Sequence, residues 1–214
     1  MKRLVIFDLD GTLVDAYPAL ISSVVYTVRR LGYPAPSAAR IRRAVGWGQR
    51  YLLESFVDSR DLKQALRVFR PHHLRALLRG ARWMPHARRV VKTLKRRGVR
   101  VAIASNRPTR FTRQILRVLA ASRLFDAVRC ADKARRGKPH PQILNDILRR
   151  LGVTKAGAVY VGDMPIDIEA GRRAGLDTVG IATGSSTLKE IRAAAPTVVI
   201  RDLSGLVKAL TLLK

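Results

Sequence analysis

The stretch FDLDGTLVD, residues 7–15, decides how this chain is expected to fold. It ends a continuous apolar run and places two carboxylates, Asp8 and Asp10, two positions apart before a glycine. A continuous apolar run is typical of a strand that is buried on both faces of a parallel sheet. Gly11 favours a tight turn directly after that strand. We therefore predict a buried strand over residues 3–8 that carries two acidic side chains at its carboxyl end.

The rest of the chain separates into an alternating part and a helical part. In the alternating part, helix-like segments connect further strand-like segments at 99–105, 126–130, 158–162, 178–182 and 197–200. Strands that alternate with helices indicate a doubly wound parallel α/β sheet. Between about 16 and 81 the apolar residues recur at helical spacing instead. We predict an α/β core domain of residues 1–15 and 82–214, with a small all-helical domain, residues 16–81, inserted after the first strand.

The charge of the chain is strongly positive. Lysine and arginine total 42 against 15 aspartates and glutamates, which gives a formal net charge of +27. Such a charge attracts polyanions, including nucleic acid, and steers small anionic ligands. The arginines are scattered as pairs on predicted helices rather than gathered in one tail. We therefore favour a basic coat that reflects composition, and we keep non-specific nucleic-acid binding as the alternative.

Hydropathy and cysteine content suggest where the protein works. No stretch approaches the roughly 20 apolar residues that a membrane-spanning helix needs. The apolar run after Lys2 and Arg3 meets Asp8 within a few residues, so we interpret it as a strand and not as a signal peptide. Cys130 is the single cysteine, which excludes an intrachain disulfide. We expect a cytoplasmic protein that does not bind membranes.

Polar residues follow several of the predicted strands. Sites in open α/β sheets lie beyond the carboxyl ends of the strands, so these residues are the candidates for function. They are Asp8, Asp10, Ser105, Asn106 and Asp163, to which we add Asp167 and the loop lysine Lys138.

The acidic candidates suit phosphoryl-transfer chemistry. A carboxylate such as Asp8 can attack phosphorus to give an aspartyl-phosphate, and a second one, Asp10, can act as general acid and then as general base. Asp163 and Asp167 are spaced i, i+4 at a predicted helix start, which places them on one face. Together with Asp8 they would repel one another unless a hard cation such as Mg²⁺ were bound. Taken alone, each pair also fits an ordinary turn or a helix cap.

The remaining candidates can bind the anion that such chemistry needs. Ser105 and Asn106 offer a hydroxyl and backbone N–H groups, and Lys138 offers a positive charge. Each also fits a turn or a surface lysine when considered alone. Their combination at strand ends favours a phosphate site.

Four ordered motifs resemble those of the haloacid dehalogenase-like hydrolase superfamily. They are DLDGT (8–12), SN (105–106), GKP (137–139) and GDMPID (162–167). The resemblance implies that Asp8 is the nucleophile and Asp10 the general acid and base. It also implies an Mg²⁺ site and a phosphate site. The implied metal ligands are Asp8, the backbone carbonyl of Asp10, Asp163 and, directly or through water, Asp167; the implied phosphate-binding residues are Thr12, Ser105, Asn106 and Lys138.

The resemblance also suggests a substrate. The segments 10–20 and 45–56 are similar to those of the phosphoglycolate phosphatase branch, whose helical cap closes over the substrate. The cap residues that would contact the substrate are Gly46, Trp47, Gly48 and Arg50. The presence of Asp10 implies phosphoryl transfer and not dehalogenation. We expect an Mg²⁺-dependent phosphatase for a small phosphorylated metabolite, with 2-phosphoglycolate as the best single substrate.

Three alternatives stay open at this stage. The same cap occurs in sugar phosphomutases, although those tend to carry lysine directly after the residue equivalent to Ser105, where this chain has Asn106. It also occurs in phosphatases that act on pyrophosphate, sugar phosphates or nucleoside monophosphates, and the many basic residues of the cap add a phosphorylated nucleic-acid end as a further candidate substrate. The third alternative, raised by the charge of +27, is a nucleic-acid-binding protein built on a hydrolase scaffold.

Overall fold

The computed structural model describes residues 2–213. The strands are β1 (Leu4–Phe7), β2 (Val14–Asp15), β3 (Arg82–Trp83), β4 (Arg100–Ser105), β5 (Ala127–Cys130), β6 (Ala158–Gly162), β7 (Asp177–Ile181) and β8 (Val198–Ile200). The helices are α1 (Tyr17–Arg30), α2 (Ala38–Arg43), α3 (Gln49–Glu54), α4 (Leu62–Gly80), α5 (Ala87–Arg96), α6 (Thr109–Val118), α7 (Gln142–Leu151), α8 (Pro165–Ala174), α9 (Leu188–Ala193) and α10 (Leu206–Leu212).

Six strands form one parallel sheet in the order β5-β4-β1-β6-β7-β8. The first strand lies inside the sheet, where Leu4 pairs with Arg100 of β4 on one side and with Ala158 of β6 on the other. All four residues of β1 are fully buried, because helices cover both faces of the sheet. The predicted doubly wound parallel α/β sheet is confirmed.

Side chains of β1 alternate between two hydrophobic clusters. Leu4 and Ile6 belong to a cluster with residues of α7 and α8, and Val5 and Phe7 belong to a second cluster on the opposite face. The second cluster continues without a break into the helices between Tyr17 and Gly80. Those helices therefore share their apolar core with the sheet.

We call Tyr17–Gly80 the helical insert. Its described secondary structure is helical throughout, and α1 packs against α4 along its length. A short antiparallel ribbon, in which Val14 of β2 pairs with Trp83 of β3, joins the two chain segments that enter and leave the insert. The ribbon was not predicted from the sequence, since two-residue strands carry no periodic signal. The division into two domains at residues 16 and 81 stays a prediction.

Among residues 2–213, none of the helices combines the length and the apolar character that crossing a lipid bilayer requires.

Candidate active site

The turn after β1 places Asp8 and Asp10 in the middle of the sheet, at the edge where the parallel strands end. The Asp8 amide donates to the carbonyl of Val161 in β6 at 2.8 Å, which continues the strand pairing by one residue. Gly11 adopts a φ of +82°, and a Cβ at this position would lie 2.6 Å from Asp163 Oδ2. Both the backbone conformation and the close approach therefore require glycine. As a result, Asp8 faces Asp163, the acidic residue that follows β6.

Three carboxylates converge at this edge. Asp8, Asp163 and Asp167 each place one oxygen within 4.8 Å of the others, and all three side chains are buried. Burial raises the pKa of Asp8 to about 7, against the opposing effect of Lys138. Burial, and then the charges of Asp8 and Asp167, raise the pKa of Asp163 well above its usual range. An all-oxygen cluster of this kind fits a hard divalent cation, which would offset the repulsion.

Lys138 neutralises part of this negative charge. Its Nζ donates to Asp8 Oδ1 and to Asp167 Oδ1, each at 2.6 Å, and its side chain is 3% exposed. Burial disfavours the ammonium, but the two carboxylates outweigh that effect and raise the pKa of Lys138 well above its ordinary value. Tyr160 also donates to Asp167 Oδ1, at 3.0 Å. The lysine predicted from the Gly-Lys-Pro loop thus lies inside the acidic cluster and stays charged.

Asp163 is held by Thr12, which the sequence assigned to phosphate, and by the loop after β7, which the sequence did not single out. Thr12 Oγ1 donates to Asp163 Oδ1 at 2.8 Å, and the Ser185 amide lies 3.4 Å from Asp163 Oδ2. A Cβ on Gly184 would lie 1.7 Å from the same Oδ2, so the loop after β7 approaches this carboxylate closely. The structure makes Thr12 a partner of Asp163, and a direct contact between Thr12 and phosphate stays a prediction.

Ser105 and Asn106 follow β4 at the same edge. Asn106 Nδ2 donates to the carbonyls of Gly46 and Lys138 at 2.9 and 3.1 Å, and its Oδ1 accepts from the Lys138 amide at 2.8 Å. The Asn106 side chain therefore ties the lysine loop and the helical insert to β4. Ser105 Oγ accepts from the Arg107 amide at 3.1 Å. The phosphate-binding roles of both residues stay predictions.

Asp10 has a partner that sequence reasoning missed. Arg107 donates from Nε to Asp10 Oδ2 and from Nη2 to Asp10 Oδ1, both at 2.8 Å. The third nitrogen of the guanidinium, Nη1, lies 2.7 Å from Nε2 of His73 in α4. A single arginine does not stand out in a chain with 42 basic residues, and the sequence offered His73 no partner at metal-ligand spacing.

The protonation state of His73 follows from its surroundings. The ring is fully buried and stacks on Phe69 at a centroid distance of 4.8 Å. Burial, together with the charge of Arg107, lowers the pKa of His73 to about 2, so the ring is neutral. A guanidinium only donates, so Nε2 of His73 accepts and we assign the ring proton to Nδ1. Nδ1 then donates to Ser23 Oγ, which lies 3.1 Å away.

We expect His73 to make the protein sensitive to mild acid. A histidine with a depressed folded-state pKa contributes stability above its unfolded pKa of about 6.5, and this stability is lost as the pH falls. Between pH 7 and 5.5 the unfolding free energy of the unaltered protein should drop by about 1 kcal/mol more than that of His73→Phe. Urea denaturation of both proteins at each pH measures this difference. Parallel slopes for the two proteins would contradict the assignment.

A small cavity of about 60 Å³ lies between the sheet edge and the helical insert. The sheet side contributes the polar groups, and the insert contributes mainly apolar side chains. The lining residues include Asp8, Asp10, Ser105, Asn106, Arg107 and Lys138 from the sheet side, and Leu20, Val45, Gly46, Gly48, Gln49, Leu52, Phe69 and His73 from the insert.

The structure brings two of the four predicted cap residues to this cavity. Gly46 and Gly48 line it, and a Cβ on Gly46 would lie 2.6 Å from the Met164 side chain. Trp47 is 48% exposed and does not line the cavity. Arg50 also lies outside the lining, because its Nε pairs with Glu54 Oε1 at 2.8 Å on the helix surface. Substrate contacts by Trp47 and Arg50 stay predictions without support from this arrangement.

Gln49 is a cavity residue that the sequence did not single out. It lies next to Gly48 at the start of α3 and lines the cavity. Its Oε1 is buried, and no donor within residues 2–213 lies at hydrogen-bond distance from it. A buried amide oxygen without a partner is costly, which makes Gln49 a candidate for contact with a bound ligand.

Comparison with known proteins agrees with these features. The family described as haloacid dehalogenase-like hydrolase matches residues 5–181. A phosphoglycolate phosphatase of Pseudomonas putida is 31% identical over 96% of this chain and 79% of its own length. One from Aquifex aeolicus is 32% identical over 82% of this chain and 83% of its own length. The crystal structure of a predicted phosphoglycolate phosphatase from Haemophilus somnus has a TM-score of 0.91 and 25% identity, and the match covers 98% of each chain.

Proposed function

Because this chain belongs to the haloacid dehalogenase-like hydrolases, in the branch that contains the phosphoglycolate phosphatases, we propose that it is an Mg²⁺-dependent phosphatase of a small phosphate monoester. The best single substrate is 2-phosphoglycolate. The observation that carries the proposal is the buried cluster of Asp8, Asp163 and Asp167 around Lys138 Nζ, beside a cavity that also exposes Asp10.

In the proposed first step, a carboxylate oxygen of Asp8 attacks phosphorus. The new bond joins Asp8 to phosphorus, the bond between phosphorus and the ester oxygen breaks, and Asp10 gives a proton to the departing alcohol. Lys138 holds one oxygen of Asp8 and offers positive charge to the phosphoryl group. In the second step, Asp10 takes a proton from water as the water attacks phosphorus, which releases phosphate and restores Asp8.

The acidic cluster is the proposed Mg²⁺ site. Its donors are all oxygens, as Mg²⁺ prefers, and its ligands would be Asp8, Asp163, Asp167 and the backbone carbonyl of Asp10. When bound, the cation would neutralise the carboxylates and the phosphate oxygens. The surrounding residues orient two of the ligands, since Thr12 donates to Asp163 and the Met164 amide donates to Asp167 Oδ2 at 3.0 Å.

Mg²⁺ is expected to stabilise the fold, and more strongly at high pH. A carboxyl group whose pKa rises on folding contributes stability below its unfolded pKa of about 4. That contribution is lost as the pH rises through about 7 for Asp8, where the cation replaces the proton. At about 100 times its dissociation constant, Mg²⁺ adds about 2.7 kcal/mol, or roughly 5–11 °C in Tm. Thermal unfolding with and without Mg²⁺ at pH 6 and 8 measures the effect.

A matched pair of variants identifies the site of that stabilisation. Asp163→Asn should remove most of the Mg²⁺-dependent shift, whereas Asp58→Asn, at a carboxylate that is 60% exposed, should keep it. An equal Mg²⁺ shift in both variants would place the cation elsewhere.

The helical insert is the proposed cap. It supplies the apolar wall of the cavity, and its loop at Gly46–Gly48 lies against Asn106 and Met164. An apolar wall shields the reacting groups from bulk water, apart from the water that attacks phosphorus in the second step, and restricts the substrate in size. Gln49 Oε1, buried on this wall, would contact the part of the substrate that leaves.

The testing experiment is phosphate release from a panel of substrates, with and without Mg²⁺. The panel contains 2-phosphoglycolate, pyrophosphate, a hexose phosphate, a nucleoside monophosphate and a 3′-phosphorylated oligonucleotide. We expect metal-dependent release with the highest kcat/KM for 2-phosphoglycolate. Conversion of a hexose phosphate to its isomer without phosphate release would identify a mutase instead. A folded protein inactive on the whole panel, but bound to DNA in a salt-dependent manner, would favour the nucleic-acid alternative.

A further inference from the structure

A continuous chain of hydrogen bonds connects Asp10 to the helical insert. It runs from Asp10 through the guanidinium of Arg107 to His73, and from His73 to Ser23. Ser23 Oγ in turn donates to the Ala19 carbonyl at 2.7 Å, within α1. The Arg107 and Asp10 side chains are 7% and 16% exposed. His73 and Ser23 are fully buried, so this series of hydrogen bonds is shielded from solvent except at Asp10, which lines the cavity.

We propose that Arg107 is a positioning residue, which fixes the Asp10 carboxylate for proton transfer, and that His73 of the insert fixes Arg107. This inference rests on the proposed function, because it assigns a role toward the proton that Asp10 transfers. It goes beyond that function by naming two residues that act through Asp10 and by linking the chemistry to the insert.

The geometry of the ion pair supports this role. Two parallel hydrogen bonds engage both oxygens of Asp10, which restricts rotation of its carboxylate about the terminal torsion. A lysine could not replace this arrangement, because an ammonium lacks the planar fork of donors. The two hydrogen bonds describe ionised Asp10, the form that takes a proton from water in the second step. In the first step one oxygen of Asp10 carries the proton while the other still accepts from Arg107. General acid catalysis needs that proton within hydrogen-bond reach of the leaving oxygen, so a freely rotating carboxyl group would be a poorer acid.

The contact with His73 gives the insert a part in this positioning. Nη1 is the guanidinium nitrogen that does not bind Asp10, and His73 Nε2 accepts from it. His73 itself is held between Phe69, on which it stacks, and Phe111, whose ring meets it edge-on at 4.9 Å. A displacement of α4 away from the sheet would break the bond between His73 and Arg107. The alignment of Asp10 thus depends on the insert lying against the core.

Arg107 also lines the cavity, so a competing role has to be separated by experiment. As a cation near the site, it could bind the carboxylate of 2-phosphoglycolate directly. Three substrates distinguish the roles. 2-Phosphoglycolate has a carboxylate and a poor leaving group, ethyl phosphate has only the poor leaving group, and 4-nitrophenyl phosphate has a leaving group that departs without a proton.

The test compares Arg107→Gln with Arg110→Gln, a matched control at an exposed arginine three residues further along. Release of the leaving group is followed in the first turnover with enzyme in excess, because hydrolysis of the aspartyl-phosphate is common to all substrates. We expect Arg107→Gln to slow release from 2-phosphoglycolate and from ethyl phosphate by about 10²-fold, the size of a general-acid effect. Release of 4-nitrophenol should change less than about threefold, and Arg110→Gln should behave as the unaltered enzyme.

A second variant keeps the test decisive if Arg107→Gln does not fold. His73→Phe keeps the aromatic stack and removes the acceptor for Arg107. It should show the same substrate pattern with a smaller loss, about tenfold, on the two alkyl phosphates.

Two results would overturn the inference. Equal losses on all three substrates would make Arg107 merely structural. If only 2-phosphoglycolate required more enzyme to reach half of the maximal release rate, Arg107 would be a substrate-binding residue. Failure of the unaltered enzyme to turn over any of the three would instead overturn the proposed function, and the inference with it.

Discussion

Asp8→Asn is expected to lower kcat by about 10⁴-fold or more while the protein stays folded. The amide cannot attack phosphorus as a carboxylate does, so the variant loses the covalent route entirely. Asparagine has nearly the same shape and can still accept from Lys138 Nζ, which lies 2.6 Å from Asp8 Oδ1. Burial already raises the pKa of Asp8 to about 7, so removal of its charge costs the apo fold little.

The measurement is phosphate release from 2-phosphoglycolate, together with thermal unfolding of the same preparation. Asp58→Asn serves as the control, because it makes the same chemical change at a carboxylate on the outside of the insert. The control should retain full activity. If Asp8→Asn keeps more than about one hundredth of the activity, Asp8 is not the nucleophile.

Lys138→Met is expected to damage both activity and stability. Lys138 is the cation that balances Asp8 and Asp167 in a buried site, and removal of one partner from a buried ion pair costs about 3–5 kcal/mol. Loss of a preorganised charge at the phosphoryl group should also reduce kcat by about 10²–10³-fold. Lys133→Met, at an exposed lysine in the same loop region, is the matched control.

The loss of stability in Lys138→Met should depend on pH. Without the ammonium, the pKa of Asp8 should rise further, because Lys138 is the group that opposes the effect of burial. A carboxyl group with a raised folded-state pKa favours folding below its unfolded pKa and loses that contribution as the pH rises. The variant should therefore be closer to the unaltered protein at pH 5 than at pH 8 when both are unfolded in urea without metal. A loss of stability that is the same at both pH values would show that the ion pair is not its cause.

The core of the fold could be predicted from local patterns. Every strand of the main sheet falls on or overlaps a strand-like segment of the sequence, and β1 at Leu4–Phe7 lies inside the predicted segment 3–8. Helices that alternate with such runs leave few arrangements other than a parallel sheet, because parallel strands need crossover connections. The ribbon of β2 and β3 could not be predicted in this way. Its pairing of Val14 with Trp83 depends on the tertiary fold, which brings the two ends of the insert together.

The cap residues show where local sequence is insufficient. The Arg50 guanidinium pairs with Glu54 one helical turn away on the surface of α3, so its contact with the substrate stays a prediction. Gln49, one position earlier, carries no recognisable signal and yet lines the cavity. The difference is a rotation of about 100° around a short helix, and the packing of that helix decides which residue faces inward.

The sequence by itself determined which acidic and basic side chains gather at the sheet edge. Asp8 and Asp163 could be picked out because they follow parallel strands, whose carboxyl ends lie together whatever the details of packing, and Lys138 could be picked out by its Gly-Lys-Pro loop. Only the tertiary structure decided which partner each of these groups takes. Asp10 meets Arg107 across 97 residues, and Arg107 meets His73 across 34. Such pairs follow no periodicity along the chain, because they form where the helical insert lies against the sheet, and that contact is set by the shared apolar core.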